Sequence, residues 1–549
     1  FSASAVRSRF TGETPRALEL DEIPQVQDCF AEGALRAKKA GFDAVEILGS
    51  AGYLISQFLS PVTNLREDRY GGSLANRMRF GLEVIEKTKD TVGPDYPVSL
   101  RIAGNDFMEG GNTNQEAAAF AAEAEKAGVD LFNVTGGWHE TRIPQLTASV
   151  PRAAYVYLAQ GIKSAVTKPV LTSNRINDPE TAEQILRNGQ ADLVTMARAL
   201  IADPELPRKS REGETHRITH CIACNQGCFD SILRIEPATC LVNPRAGRER
   251  ERTVHPVSKK KKVLIIGGGP AGMKTAVTAC ERGHQVILAE RASELGGQLL
   301  LNRHIPAREE LATASLDLRR NLQSLPVEIH QDTEVRKDWV RNLAPDAVVL
   351  ATGARPAFPD IPGVHDENVV QAWDVLAGRK GAGDRIIVLG GNAVGLETAL
   401  YLAHIGTLSP EVLHFLLANG AESSQTLMDG LNHGIKQVTV VEMTKKAGKD
   451  IGLTTRWTVM AELRRLGASI MTQTRAVAIT PEGLSVERPE GADFLPADTI
   501  VLAAGSLSEN GLFENIRDLV PEVYTIGDAK EPGNALEAIR DGLLTGLRL

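Results

Sequence analysis

The stretch "VLIIGGGPAGMKTAVTACERGHQVILAER", residues 263–291, decides how this chain folds. An apolar run leads into a glycine turn, a helical stretch follows, and a second apolar run ends on an acid. That order is a dinucleotide-binding fingerprint in its full context, not a lone glycine pattern. Gly267 allows the tight turn, Gly269 lets the backbone approach a pyrophosphate, and Gly272 lets helix and strand pack closely. The helix N-terminus adds partial positive charge. Glu290, at the end of the second apolar run, is placed to accept hydrogen bonds from a ribose. Glycines that served a turn alone would not need the strand, helix and acid around them.

Downstream the pattern returns as "RIIVLGGNAVGLETALYLA", residues 385–403, with Gly390 and Gly395 in the first and third glycine places. Asn392 stands in the second place, where a side chain crowds the approach of a phosphate. The matching acid is Glu442, which ends "QVTVVE", and an insertion around 406–434 stretches the spacing. An acid there favours NAD over NADP, while Lys445 and Lys446 beside it leave both open, hence NAD(P)H. "LATGARP" at 350–356, "LAAG" at 502–505 and "TIGDA" at 525–529 flank the second fingerprint on both sides. Taken together, these motifs resemble the two-dinucleotide flavoprotein disulfide reductases, with FAD on the first domain and NAD(P)H on the second. The resemblance implies that Gly297 and Gln298 of "GGQ" line the FAD and that Gly527 and Asp528 hold its ribityl and phosphate region. The redox CxxxxC disulfide of classical members is absent, so electrons need another exit.

Upstream, helical and strand-like runs alternate from residue 24 to about 200. The strands read "DAVEIL", "YPVSLRI", "DLFNVTG", "KPVLTSN" and "ADLVTMA". Continuous apolar strands between helices mean parallel βα units with both sheet faces covered. Polar or glycine-bearing residues follow every strand, where a (β/α)8 barrel builds its active site. A closed barrel needs eight strands, so this reading expects about three units to be missing upstream, as does a chain that starts at Phe.

Between the two regions lies "CIACNQGCFDSILRIEPATC", with Cys221, Cys224, Cys228 and Cys240 spaced C-x2-C-x3-C-x11-C. Six cysteines in 549 residues are too few for a disulfide scaffold, and four in one short segment point to a ligand set. By spacing alone, zinc and an iron–sulfur cluster both fit. Beside nucleotide domains that resemble those of a flavoprotein, whose electrons need an exit, iron–sulfur is favoured, because zinc carries no electrons. Cys29 and Cys280 lie in helical stretches and are expected to be buried thiols.

A barrel, then these cysteines, then the paired nucleotide domains resembles the bacterial 2,4-dienoyl-CoA reductase family. Its relatives in the old yellow enzyme superfamily are trimethylamine dehydrogenase and the enoate and aryl-CoA reductases. "GYLISQFLSP", "RYGGSLANRMRF", "GGWHETRIP", "NRINDPETA", "CIACNQGC" and "CLVNPRA" carry the likeness, which runs from about residue 20 to the C-terminus. It implies FMN in the barrel, one [4Fe-4S] cluster on the four cysteines and FAD beyond them. Electrons would pass from NAD(P)H to FAD, cluster, FMN and an unsaturated acyl-CoA thioester.

By the same resemblance Tyr53 donates the proton, work that suits a phenol protonated at neutral pH. His139 supports it. Arg101 approaches the FMN ring, with a barrel-interior ion pair as the bland alternative, and Ser173, Asn174, Ala197 and Arg198 hold the FMN phosphate. Classical old yellow enzymes carry a His five residues before the tyrosine and a His or Asn two before it. Leu48 and Ala51 stand there, which leaves the acyl group open and counts against the alternative of an amine or N-methyl dehydrogenase. A non-catalytic electron-transfer subunit is the alternative of another class.

The expected architecture is α/β. Residues 1–215 form a partial FMN barrel (about strands 4–8), 216–257 an iron–sulfur segment, 258–380 plus 506–549 an FAD domain, and 381–505 an NAD(P)H domain. Net charge is −8 with the two signs mixed along the chain, which argues against a nucleic-acid binder. No apolar run is long enough for a membrane span. These features fit a cytoplasmic enzyme with small-molecule partners, and a homo-oligomer is compatible with them.

Overall fold

The computed structural model describes residues 1–549. They form two compact units, Phe1–Leu146 with Val150–Leu200, and Ile201–Leu549 with Thr147–Ser149. The division falls ahead of the expected boundary at 215. The reason is local: the buried Asp203 carboxylate accepts from Lys209 Nζ at 2.6 Å and from the Thr219 backbone, while His220 N–H donates to Asp317 at 2.7 Å. These contacts tie residues 203–220 to the second unit.

In the first unit, β1 (Val45–Gly49), β2 (Val98–Ala103), β3 (Leu131–Thr135), β4 (Val170–Thr172) and β5 (Leu193–Val194) make one parallel sheet in that order. Each strand lies beside the last in chain order, as successive strands of a (β/α)8 barrel are placed. Helices Leu74–Val92 and Asn114–Lys126 start where the sequence supplies caps: Ser73 accepts from Asn76 N–H, and Thr113 forms a capping box with Glu116. Their apolar faces bury Phe80, Val84, Phe120 and Ala121 against Phe58, Leu100 and Phe132. β5 holds two residues where a longer strand was expected: Thr195 N–H still donates to Thr172 O of β4, but the chain leaves the sheet at Met196 ahead of helix Arg198–Ala202. Cys29 is exposed, contrary to expectation, while Cys280 is buried. Helix Ile23–Lys39 buries Ile23, Gln27, Ala31 and Ala34, and residue 29 falls outside that stripe.

The second unit repeats one design. β6 (Lys262–Ile266), β7 (Gln285–Ala289), β8 (Glu328–His330) and β9 (Ala347–Leu350) are followed by β10 (Ala354–Pro356) and β11 (Val369–Gln371). Then come β12 (Arg385–Leu389), β13 (Gln437–Val441), β14 (Ser469–Met471), an antiparallel meander β15–β17 (Arg475–Thr480, Gly483–Arg488, Gly491–Pro496), β18 (Thr499–Leu502), β19 (Ser506–Ser508) and β20 (Glu522–Thr525). One parallel sheet runs β20-β9-β6-β7-β8 and the other β11-β18-β12-β13-β14. Both are the doubly wound order of a dinucleotide-binding domain, with the glycine turn after the central strand. The second sheet takes Val369–Gln371 as its edge, ahead of the expected boundary at 381. β10 pairs with β19 where the chain leaves the first domain and returns to it. The insertion at 406–434 folds as helices Pro410–Ala418 and Ser424–Asn432, so β13 still reaches its place beside β12. The run of lysines at 259–262 ends inside structure: Lys262 opens β6 and Lys261 pairs with Glu522 at 2.6 Å.

No helix is long and apolar enough to cross a membrane.

Candidate active site and nucleotide turns

At the C-terminal end of β1 the chain bends sharply. Ala51 has φ 62° and Gly52 φ 92°, a conformation that only glycine takes without strain. A side chain on Gly52 would crowd the Trp138 indole at 3.1 Å. The bend presents Tyr53 at the N-terminus of helix Leu54–Leu59, half exposed. Behind it, the loop after β3 brings Trp138 alongside Ala51, and His139 N–H donates to Ala51 O at 3.4 Å. The His139 and Tyr53 rings meet edge to face with centroids 5.5 Å apart, and Phe10 stacks on the other side of His139 at 6.2 Å. Burial lowers the His139 pKa, which keeps the imidazole neutral at pH 7.

Arg101 stands in register between Leu48 and Asn133 on one face of the sheet. Its guanidinium lies 3.9 Å from Glu46, whose carboxylate also accepts from Asn133 Nδ2 at 2.8 Å. The ion pair weighed as the bland reading is therefore present, and Glu46 is a residue that the sequence did not single out. After β4, Asn174 adopts φ 70°, and its Oδ1 accepts from Thr135 Oγ1 and Ser173 Oγ, each at 2.9 Å. Arg198 Nη1 donates to Leu146 O at 2.6 Å. Ala197 closes the loop after β5 by accepting from Leu200 N–H. The left-handed Asn174 and the buried Ser173 hold the ends of β3 and β4 together as a polar lip that fits a phosphate-bearing flavin.

In the second unit both glycine turns are built alike. Gly267 has φ 111° and Gly390 φ 115°. A side chain on either would collide with a carbonyl of the neighbouring strand end, Ala351 or Ala503. Gly272 and Gly395 sit just as tightly on the carbonyls of Gly267 and Gly390. Glu290 accepts from Gly268 N–H at 2.6 Å, and Glu442 accepts from Gly391 N–H at 2.8 Å. Burial pushes the Glu442 carboxyl up, but N–H groups of Thr444 and Gly391 outweigh it and hold it below the usual range. Around the first turn, Gln298 Nε2 donates to Asp528 at 3.0 Å, and Gly297 and Gly527 both have positive φ. A Cβ on Gly269 would meet nothing nearer than 4.0 Å, so the helix N-terminus is open to a pyrophosphate. These residues fit a dinucleotide.

The cysteine segment winds through left-handed Ala223 and Asn225, and Gly227 packs against Thr239 and Leu536 where a side chain would be crowded. Burial pushes the Cys240 thiol up to about 12 and raises that of Cys224 well above the ordinary thiol value, with the neighbouring thiols adding to both. The backbone of Gln226 hydrogen-bonds to Cys224, and those of Asn243 and Val242 to Cys240. The four cysteines thus lie close enough to repel one another once ionised, with amide dipoles aimed at the sulfurs of Cys224 and Cys240. A cationic centre among them would offset that repulsion, so the donor set fits a thiolate-held metal centre. No three His, Cys, Asp or Glu side chains close to the spacing of one ion's ligands.

A barrel-type sheet with a polar lip, followed by two glycine turns of the dinucleotide-binding kind, is the architecture of a flavin oxidoreductase served by a pyridine nucleotide. The chain belongs to the NADH:flavin oxidoreductase / NADH oxidase family, whose model matches residues 3–216, and residues 261–542 match that of the pyridine nucleotide-disulphide oxidoreductases. It is 48% identical over 540 residues to a metal reductase of Desulforamulus reducens, covering 98% of this chain and 81% of that protein. To an NADH oxidase of Thermoanaerobacter brockii it is 39% identical, covering 98% and 80%. The structure of a 2-naphthoyl-CoA reductase in complex with 2-naphthoyl-CoA superposes with a TM-score of 0.91 at 33% identity, over all of this chain and 80% of that one.

Proposed function

We propose that the chain reduces a carbon–carbon double bond conjugated to a thioester, of the enoyl-, dienoyl- or aryl-CoA class, at the expense of NAD(P)H. The observation that carries this reading is the edge-to-face pair of Tyr53 and His139 at the strand ends, on the sheet whose β1 carries the apolar Leu48. Arg101, Ser173, Asn174, Ala197 and Arg198 would hold FMN. Gly267, Gly269, Gly272, Glu290, Gly297, Gln298, Gly527 and Asp528 would hold FAD, and Cys221, Cys224, Cys228 and Cys240 a [4Fe-4S] cluster. When bound, the flavins exchange hydride and single electrons and the cluster carries single electrons, chemistry that no side chain supplies.

Overall, NAD(P)H and one proton add two hydrogens across the double bond. The chain's own part is proton delivery: Tyr53 Oη gives its proton to the substrate carbon and is reprotonated from solvent, to which it is half exposed. His139, neutral and wedged between Tyr53 and Phe10, orients the phenol and has a ring N–H with which to polarise the thioester carbonyl. Leu48 and Ala51 place no polar group on the substrate at the two positions where classical old yellow enzymes do, which leaves room for a bulky acyl group.

In the full chain with its cofactors, Tyr53→Phe should slow reduction of a thioester panel by about 10²- to 10⁴-fold and leave flavin reduction by NADH unchanged. Equal loss of both steps would remove Tyr53 from the proton path. Cys228→Ser should keep NADH-driven FAD reduction and abolish thioester turnover; full turnover in that variant would refute the role of the cysteines.

The 48% identity to the metal reductase favours a second reading, in which electrons leave to a soluble metal-ion substrate. That reaction needs no proton donor, so Tyr53→Phe would leave it untouched.

A further inference from the structure

The second glycine turn differs from the first at the spot where a pyrophosphate would sit. Asn392 Oδ1 accepts from Gly395 N–H at 2.9 Å and Asn392 Nδ2 donates to Ala503 O at 2.7 Å. In front of them stands Asp450, whose two carboxylate oxygens accept from Ala393 N–H at 3.0 and 2.9 Å. Ala393 opens helix Ala393–Ala403, so this carboxylate lies on the positive end of the helix dipole, where a bound phosphate would be stabilised. Its delivery is specific. Gly448 N–H donates to Gly391 O at 2.6 Å, and Gly448 has φ 66° with Leu396 against it, so the loop is pinned to the turn two residues before Asp450. Lys449 and Asp450 themselves are exposed and carry no packing that would hold them there.

On its other side Asp450 lines a cavity of about 490 Å³ with Arg248, Arg252 and Arg540. Arg252 feels both of the other guanidiniums as like charges and Glu251 as an opposite one, and Glu236 and Glu537 line the same cavity, so a displaced carboxylate would meet both signs there.

We propose that, without dinucleotide, Asp450 occupies the anion place of the second turn, and that the pyrophosphate of NAD(P)H must displace it, so that this carboxylate sets dinucleotide affinity. The inference rests on the reading that the turn at Gly390 and Gly395 receives NAD(P)H.

Calorimetry on the full chain with its cofactors tests it, using NAD⁺, ADP and adenosine as probes. Asp450→Asn keeps an acceptor for Ala393 N–H but no charge; Asp450→Ala removes both. NAD⁺ and ADP should bind about fivefold more tightly to Asp450→Asn and more tightly still to Asp450→Ala, with adenosine unchanged. The gain should shrink in high salt. Glu442→Gln, on the ribose side, separates the two layers of the argument. If it weakens NAD⁺ while both Asp450 variants bind NAD⁺ as the wild type does or worse, the displacement idea is wrong and the site stands. If neither Glu442→Gln nor the Asp450 variants change binding of NAD⁺, the dinucleotide binds elsewhere and both ideas fall.

Discussion

The two glycine turns of the second unit share backbone, glycine contacts and acid, yet one is open and the other closed. At the first, Gly269 leaves clear space before the helix and Pro270 opens it without an N–H to satisfy. At the second, Asn392 and Asp450 supply oxygens to the N–H groups of Gly395 and Ala393. A prosthetic group that stays bound wants a permanently open turn. A coenzyme that must come and go every turnover is served by a turn whose donors have a partner in its absence, because buried unpaired N–H groups are costly. The difference lies in what stands in front of the turns and not in their frames.

The largest expected effect breaks the shared frame itself. Gly267→Ala and Gly390→Ala each force a Cβ into a strand-end carbonyl at positive φ, at a cost on the order of 3 kcal/mol. Gly267→Ala should lose FAD. Gly390→Ala should retain FAD and lose its reduction by NADH. Cofactor content after gel filtration, with stopped-flow flavin reduction, reads both, and loss of FAD from Gly390→Ala would show that the turns are not separate sites.

A smaller effect sharpens the part played by the acid. Glu442 is held below the usual carboxylate range, so its folded-state pKa is depressed below that of a glutamate in the unfolded chain. Its stabilisation is therefore complete above that value and is lost as pH falls through the lower folded-state value. Glu442→Gln should cost about 1 kcal/mol at pH 7, a figure kept small by solvent screening at a partly exposed site. Wild type and variant melting curves should converge as pH falls below 4. A gap that persists at acid pH would mean that the side chain acts by shape and not by charge.

Much of this was legible in the sequence, for reasons that differ by element. β1 to β4 declared themselves as apolar runs between capped helices, and Glu290 and Glu442 by ending a strand after a glycine turn, even across the stretched insertion. Tyr53 and His139 were visible through motifs, and the fold explains their meeting: left-handed Ala51 and Gly52 turn the chain so that the loops after β1 and β3, with β2 between those strands, share a contact. What the sequence concealed depends on long-range placement. The edge strand Val369–Gln371 is three residues long and precedes the sheet it joins, so no local pattern could assign it. Asp450 reaches Ala393 across 57 residues through a loop whose one clue is Gly448, and Glu46 becomes notable only once strand register sets it beside Arg101 and Asn133.

The smallest effect asks which of the two oxygens in front of the second turn does the closing. Asn392→Gly restores the fingerprint's second glycine and removes the cap on Gly395 N–H, which should cost only a few tenths of a kcal/mol because glycine is itself tolerated at a helix N-cap. If Asp450 is the barrier, clearing Asn392 alone changes NAD⁺ affinity by less than twofold, since the negative charge still faces the incoming phosphates. If the amide is the barrier, affinity rises in Asn392→Gly as much as in Asp450→Asn. The double variant decides between coupling and independence: the two side chains meet on one turn, so their effects should exceed a simple sum if each must leave before the pyrophosphate can enter. Strict additivity would instead mean that the phosphate passes Asn392 and contends with Asp450 alone.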